Sequence, residues 1–318
     1  MKRYTRFNII AAAALLVASA CAPLLDVKNN DAPDVLRALA TPSDVKNVAA
    51  SSLNTWYINA TTVEPYLMFD VTADHATANY GNFGMRFNNE EPRIPYGNSS
   101  AGSDRGVAET PWNGQYGALG AANDAMRAFK AGVKLATDAE TDQYKTLAMF
   151  SQAAALTELG LIFDKAFVVD ENSEGIPALS KYQDVITAAM AKWDAVIAAS
   201  NGKTYEFPNS VFPLAGVKFN GANLYRIANT FAARALAYSA RTKAETDALS
   251  WTRILGYAEK GINFDLSVIG DGYVNWYADF PGALNSTLLP AVTYTEGRYR
   301  SRRWARRKSA TRSRSSHY

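Results

Sequence analysis

Asp70 and Asp74 stand one helical turn apart, so on a helix both carboxylates leave one face and could act as acid and base across a cleft. A solvated or capping pair has the same spacing, and that reading is preferred. His75 follows directly, but His75 and His317 are the only histidines and Cys21 the only cysteine, so no Cys/His cluster of metal-ligand spacing exists. Neither a glycine-rich phosphate loop nor a Gly-x-Ser-x-Gly elbow is present. These patterns predict a protein that is not an enzyme and carries no metal or cofactor. What remains is aromatic. Tyr80, Phe83 and Arg86 follow Asp74 and His75 in a glycine-broken stretch, and Tyr273, Trp276 and Tyr277 form a second group. Aromatic faces suit the C–H surface of a pyranose ring. The same residues could equally be a satellite core beneath long loops.

Cys21 has a specific context. Lys2, Arg3 and Arg6 precede an apolar run from Ile9 to Val17 that ends in Ala18-Ser19-Ala20-Cys21. This is the layout of an export signal, and the run is well short of the roughly 20 residues of a membrane-spanning helix. Ala18-x-Ala20 would suit ordinary signal cleavage, whereas a small residue directly before the only cysteine suits a lipobox with Cys21 as the acylated thiol. The lipobox is the expectation, although Ala18 stands where lipoproteins more often carry Leu. Residues 1–20 are then a signal peptide and 21–42 a lipidated tether, broken by Pro23 and Pro33. With its cysteine so used, the chain has no disulfide and depends on a packed core.

Charge is divided sharply along the chain. Residues 297–318 hold nine of the 33 Lys and Arg and no acidic residue, while residues 21–296 hold 21 basic against 30 acidic side chains. A net acidic body has no general attraction to nucleic acid. The basic stretch beginning Arg298-Tyr299-Arg300 resembles a polyanion-binding arm in composition, but its abrupt onset is read instead as out-of-frame translation of a truncated gene, predicted to be disordered.

The elements that must position these groups are helical. Apolar residues recur at helical spacing after Pro42 (Val45, Val48, Ala49, Leu53, Trp56), and a short helix is predicted for 64–75. Residues 76–111, interrupted by glycine and proline, read as a long ordered loop. Further helices are predicted from Trp112 to a stop at Gly132; from a Thr137–Glu140 capping box to Gly160; from a Ser180–Gln183 capping box to Gly202; from about Asn223 to Arg241; and from about Ala244 to Gly261. Trp112, Trp193 and Trp251 lie on apolar stripes and are predicted to be core. The last two helices form a hairpin like a tetratricopeptide unit, in which Ala228, Ala232 and Ala235 permit close approach.

Four segments in this order resemble the SusD/RagB family of outer-membrane nutrient-binding lipoproteins. They are Trp112-x3-Tyr116-x2-Leu119-x3-Asn123; the helix from Ala148 to Gly160 with Ile162-Phe163-Asp164; Phe219-Asn220-Gly221 leading to Asn229 and the run Ala232 to Ala237; and Trp251 to Ile262. The lipobox at Cys21 agrees with them. The resemblance covers Ser43 to Tyr277, where family members continue into a loop-rich C-terminal region, so 43–296 is taken as an incomplete SusD-like domain. It implies an all-α fold of tetratricopeptide-like helical hairpins with long ordered loops. It also implies a lipid-anchored outer-membrane protein that captures an oligosaccharide or peptide and passes it to a SusC-like, TonB-dependent transporter. Ligand would be held by Asp74, His75, Tyr80, Phe83, Arg86, Tyr273, Trp276 and Tyr277. The alternative is a tetratricopeptide-like scaffold lipoprotein that joins envelope proteins and binds no small ligand.

Overall fold

The computed structural model describes residues 41–61, 63–75, 105–175 and 177–268, together with residue 39 and scattered positions between 84 and 102. The chain divides into two units, Met1–Ala40 and Thr41–Tyr318, and the elements below belong to the second. They are helices and one two-stranded ribbon, which makes the described chain mostly helical and all-α in class. None of the described helices is long and apolar enough to cross a membrane.

Helix α1 (Pro42–Thr61) starts as its sequence requires, with proline at the first helical position, where a missing N–H costs nothing. Thr41 Oγ1 accepts from the Asp44 N–H at 3.2 Å and the Asp44 carboxylate accepts from the Thr41 N–H at 2.9 Å. Of the expected stripe, Val45, Ala49, Leu53 and Trp56 are buried and Val48 is half-buried. Helix α2 (Val63–Thr72) is followed two residues on by Asp74, whose φ of 54° is left-handed and turns the chain away.

Helix α3 (Gly106–Lys130) begins six residues before Trp112 and carries Pro111 buried inside it. The Arg105 carbonyl already accepts from the Ala108 and Glu109 amides, so the helix is nucleated upstream and tolerates the proline. It stops where predicted. Gly132 takes φ +101°, and the Val133 N–H donates back to Ala128 O at 3.1 Å, as in a Schellman closure.

Helix α4 (Asp138–Ile162) is the centre of the fold and packs against α1, α3 and two later helices, so that residues 150–160 are buried all the way round. Thr137 caps it by accepting from the Glu140 N–H at 3.0 Å. The Glu140 carboxylate reaches one residue further back, to the Ala136 N–H, and also takes Lys46 of α1 at 2.6 Å.

A short antiparallel ribbon of β1 (Lys165–Ala166) and β2 (Ser180–Lys181) introduces α5 (Tyr182–Ser200). Ser180 therefore does not cap α5: it is committed to the ribbon opposite Ala166, and the predicted capping box with Gln183 does not form. The apolar face of α5 is as predicted, with Val185, Ile186, Ala189, Met190, Trp193 and Val196 buried. It packs between α4 and α6 (Gly221–Ser239), which Asn220 caps by accepting from the Asn223 N–H. Ala228, Ala232 and Ala235 are fully buried, and a Cβ on Gly160 would lie 2.8 Å from Ile186 Cδ1.

The single helix predicted for 244–261 is two pieces, α7 (Lys243–Asp247) and α8 (Trp251–Ala258), broken at 248–250. Each piece answers to a different neighbour. Thr242 and Glu245 close a capping box, and the Glu245 carboxylate also accepts from Tyr182 OH and Gln183 of α5. Arg253 and Tyr257 of α8 are tied to Asp194 farther along α5, while Gly261 lies against Thr230 of α6.

The three predicted core tryptophans diverge. Trp193 has no exposed surface and its indole N–H donates to Thr157 Oγ1 at 2.9 Å. Trp112 is half-buried, with its ring 5.0 Å from Phe163 and 5.9 Å from Phe167. Trp251 is not core: it is 48% exposed, although it lies one helical turn from Ile254, the one residue that α8 buries.

Candidate functional site

The most chemically varied surface of the described chain lies where α2, α4 and α6 meet. Glu158 of α4 has only 4% of its side chain exposed and accepts from Arg234 Nη1 of α6 at 2.9 Å, while Arg234 keeps 34% exposed. Tyr66 of α2 donates its hydroxyl to the other Glu158 oxygen at 2.9 Å. Burial works against the Arg234 charge, but the Glu158 carboxylate beside it prevails and holds the guanidinium above its usual range.

The rings of Phe231 and Tyr238 each lie with their centroids 5.9 Å from the Arg234 guanidinium carbon, within cation–π reach. Phe231, Arg234 and Tyr238 are three and four residues apart and so share a face of α6. Tyr238 is the most outward of them at 63% exposure.

This seat rests on a rigid aromatic floor. Phe231 stacks on Trp193 at 5.8 Å and meets Trp56 edge-on at 5.6 Å, and Phe150 packs edge-on to Trp193 at 5.0 Å. The arrangement therefore offers solvent an aromatic face and a guanidinium whose charge is already balanced. Those groups offer ring contact and hydrogen bonding.

Of the residues singled out in the sequence, Asp74 and His75 fall at the end of α2, both exposed, with His75 Nδ1 3.7 Å from Asp70 Oδ1. Tyr66, Asp70 and Asp74 recur at four-residue spacing, so Asp70 shares the α2 face that carries Tyr66, and the turn at Asp74 follows it. Asp74 is exposed, whereas Asp70 is half-buried and faces His75. Cys21, Tyr80, Phe83, Arg86, Tyr273, Trp276 and Tyr277 lie outside the described residues.

Glu158, Arg234 and Tyr238 were missed. The signal for the first two is present in the sequence as a lone carboxylate in the Ala153–Ile162 run and a lone arginine in the Ala228–Ala237 run, stretches otherwise free of charged side chains.

A second polar cluster serves the fold. Lys192 of α5 donates to Glu171 at 2.9 Å and lies 3.5 Å from Asp170, and Gln152 Nε2 of α4 donates to Glu171 and to Asn123 of α3 at 2.7 Å each. Burial opposes ionisation of both acids, but Lys192 and the surrounding N–H donors outweigh it and hold both carboxyls below their usual range. The cluster clamps the 163–181 connection to the bundle. The Tyr116 hydroxyl does the same by donating to Phe167 O at 3.0 Å, and burial pushes that phenol up to about 12.

Two open depressions complete the surface. One of 340 Å³ lies between the start of α6 and the end of α8, lined by Tyr225, Arg226 and Lys260 among others, and one of 520 Å³ lies beside the Lys218–Glu206 ion pair. Among the described residues no group of three or more His, Cys, Asp or Glu could hold a metal ion.

The chain matches no protein-family model, no curated protein and no solved structure. Its function therefore has to be argued from its own residues.

Proposed function

We propose that this is a lipid-anchored capture protein of the outer membrane, tethered through Cys21, which binds an oligosaccharide or peptide and hands it to a SusC-like TonB-dependent transporter without making or breaking a bond. Its helices are read as tetratricopeptide-like hairpins, with α6 and α8 as the pair the sequence offered: the two pack on one another, and Ala228, Ala232 and Ala235 of α6 are fully buried. The observation that carries the capture reading is the seat at α2, α4 and α6. There an exposed tyrosine, a fixed guanidinium and nearby carboxylates sit on a rigid floor, which is what a surface needs in order to bind a polar ligand with little loss of conformational entropy.

The test has two parts. Calorimetric titration of the mature lipoprotein against panels of oligosaccharides and peptides is expected to give heat with at least one class. Purification from detergent-solubilised outer membranes is expected to bring a TonB-dependent transporter with it. No heat from any ligand, together with an envelope protein other than a transporter in the complex, would overturn the reading.

That second outcome would support a scaffold lipoprotein that joins envelope proteins. The feature favouring it is α8, where Trp251 and Leu255, one turn apart, are both exposed.

A further inference from the structure

The seat also carries information about the charge of its ligand. Among the described residues Arg234 is the cation placed against Tyr238 by ring contact, and its charge is balanced by a buried carboxylate. Glu158 is buried on α4, held by Tyr66 OH at 2.9 Å on one oxygen and by Arg234 at 2.9 Å on the other. An incoming carboxylate would have to compete with Glu158 for the guanidinium and would be repelled by that buried anion. Two like charges this close in a partly buried site repel strongly enough to reverse a preference. Asp70, on the α2 face that carries Tyr66, adds negative charge on the same side. Hydroxyl groups meet no such opposition, because they accept from the outer N–H groups of a guanidinium and donate to carboxylates.

The aromatic partner completes the argument. A pyranose lays its C–H face on an exposed ring, and Tyr238 is exposed, backed by Arg234, and carried on a helix that is packed on α4 and α5.

We propose that Tyr238 and Arg234, with Glu158 and Tyr66 behind them, form a subsite for one uncharged sugar ring that discriminates against uronic acids and other anionic ligands. This deepens the capture reading and rests on it.

The experiment uses the full mature lipoprotein in detergent, titrated with maltoheptaose, xylohexaose and mannohexaose as neutral probes and with oligogalacturonate and oligoalginate as acidic ones, at low and at physiological salt. The wild type is expected to bind at least one neutral probe and to bind the acidic probes at least tenfold more weakly. Tyr238→Ala, at an exposed position, is expected to raise the neutral Kd by about tenfold, while Tyr238→Phe, which keeps the ring, is expected to leave it within about twofold. Glu158→Gln keeps the volume and the acceptor but frees the Arg234 charge, so acidic probes are expected to gain about fivefold or more, with a dependence on salt that the wild type lacks. Melting curves of each variant confirm folding, and Tyr238→Ala gives a readout that does not depend on the buried pair.

If the wild type binds a neutral probe and Tyr238→Ala binds it equally well, the subsite is elsewhere and capture still stands. Tighter binding of acidic probes by the wild type would overturn the charge argument. Heat with peptides alone would overturn the sugar assignment and leave capture intact, and heat with no probe of either kind would overturn both.

Discussion

Trp193 on α5 and Trp251 on α8 sit in helices that both lie against α6, yet one is sealed and the other is half in water. The difference is in how many sides of the helix are covered. Helix α5 is enclosed by α4 on one side and α6 on the other, so Trp193 meets Phe150, Phe231 and Thr157 at once. Helix α8 packs on α6 and buries only Ile254, leaving Trp251 and Leu255 beside it about half-exposed. An apolar period thus establishes that a helix has a face, while burial of that face depends on elements elsewhere in the chain.

The largest effect should come from the sealed side. Trp193→Ala removes the floor of the seat and the bond to Thr157 and should cost about 3–5 kcal/mol, read from urea unfolding monitored by far-ultraviolet circular dichroism. A loss below about 1 kcal/mol would mean that α5 is not enclosed as described, and the contrast with α8 would fail.

Next comes backbone closeness at the head of α6. A Cβ on Gly221 would lie 2.5 Å from the carbonyl oxygen of Lys203, a backbone atom with little room to move. Gly221→Ala should therefore destabilise by about 1–3 kcal/mol, despite the better helix propensity of alanine. Heat denaturation of the same pair of proteins measures it.

Electrostatics sharpen the contrast on α5 itself, where Lys192 and Asp194 stand two residues apart. Lys192, with 18% of its side chain exposed, serves Asp170 and Glu171. Arg253 and Asp194, about half-exposed, form an ordinary surface pair. Both carboxyls of the Lys192 cluster are held below their ordinary values of 3.8 and 4.5, so the stability they confer is fully present above that range and is lost as pH falls through it towards the depressed values. Lys192→Met should lower stability at neutral pH and flatten the acid limb of a stability–pH curve below about 4.5, whereas Arg253→Met should leave the curve nearly parallel to that of the wild type. Identical curves for the two variants would remove the distinction.

How much of this was legible follows from the same contrast. The cores of α1, α4 and α5 could be read because their apolar residues recur at helical spacing, and the start of α4 because its cap, Thr137 with Glu140, is local; the Thr41–Asp44 cap of α1 is as local but was missed. The break at 248–250 could not be read, because it is imposed by contacts from Tyr182 and Asp194, which are 63 residues from Glu245 and 59 from Arg253. Ser180 misled for a related reason: as a local signal it reads as a cap, but pairing with Ala166 claims its backbone for a ribbon. The seat escaped notice because Glu158 and Arg234 are 76 residues apart and become a site only when α4 and α6 pack together. Attention to lone charges on small-residue helices would have singled out both.

The smallest effects belong to α8 and are the most exacting for the comparison. Gly256 has nothing within 4 Å of where a Cβ would be, in contrast to Gly221, so Gly256→Ala should stabilise by about 0.5–1 kcal/mol through helix propensity alone. Trp251→Ala, at a half-exposed site, should change stability by no more than about 0.5 kcal/mol in isolated protein. If the exposed flank of α8 is a meeting surface for another protein, the same substitution should weaken that complex by about tenfold or more while leaving the melting temperature of the free chain unchanged, since tryptophans at the centre of an interface carry a disproportionate share of its affinity. A large loss of stability in the isolated chain would instead mean that Trp251 is covered from within the protein, and the two tryptophans would then differ only in which part of the chain seals them.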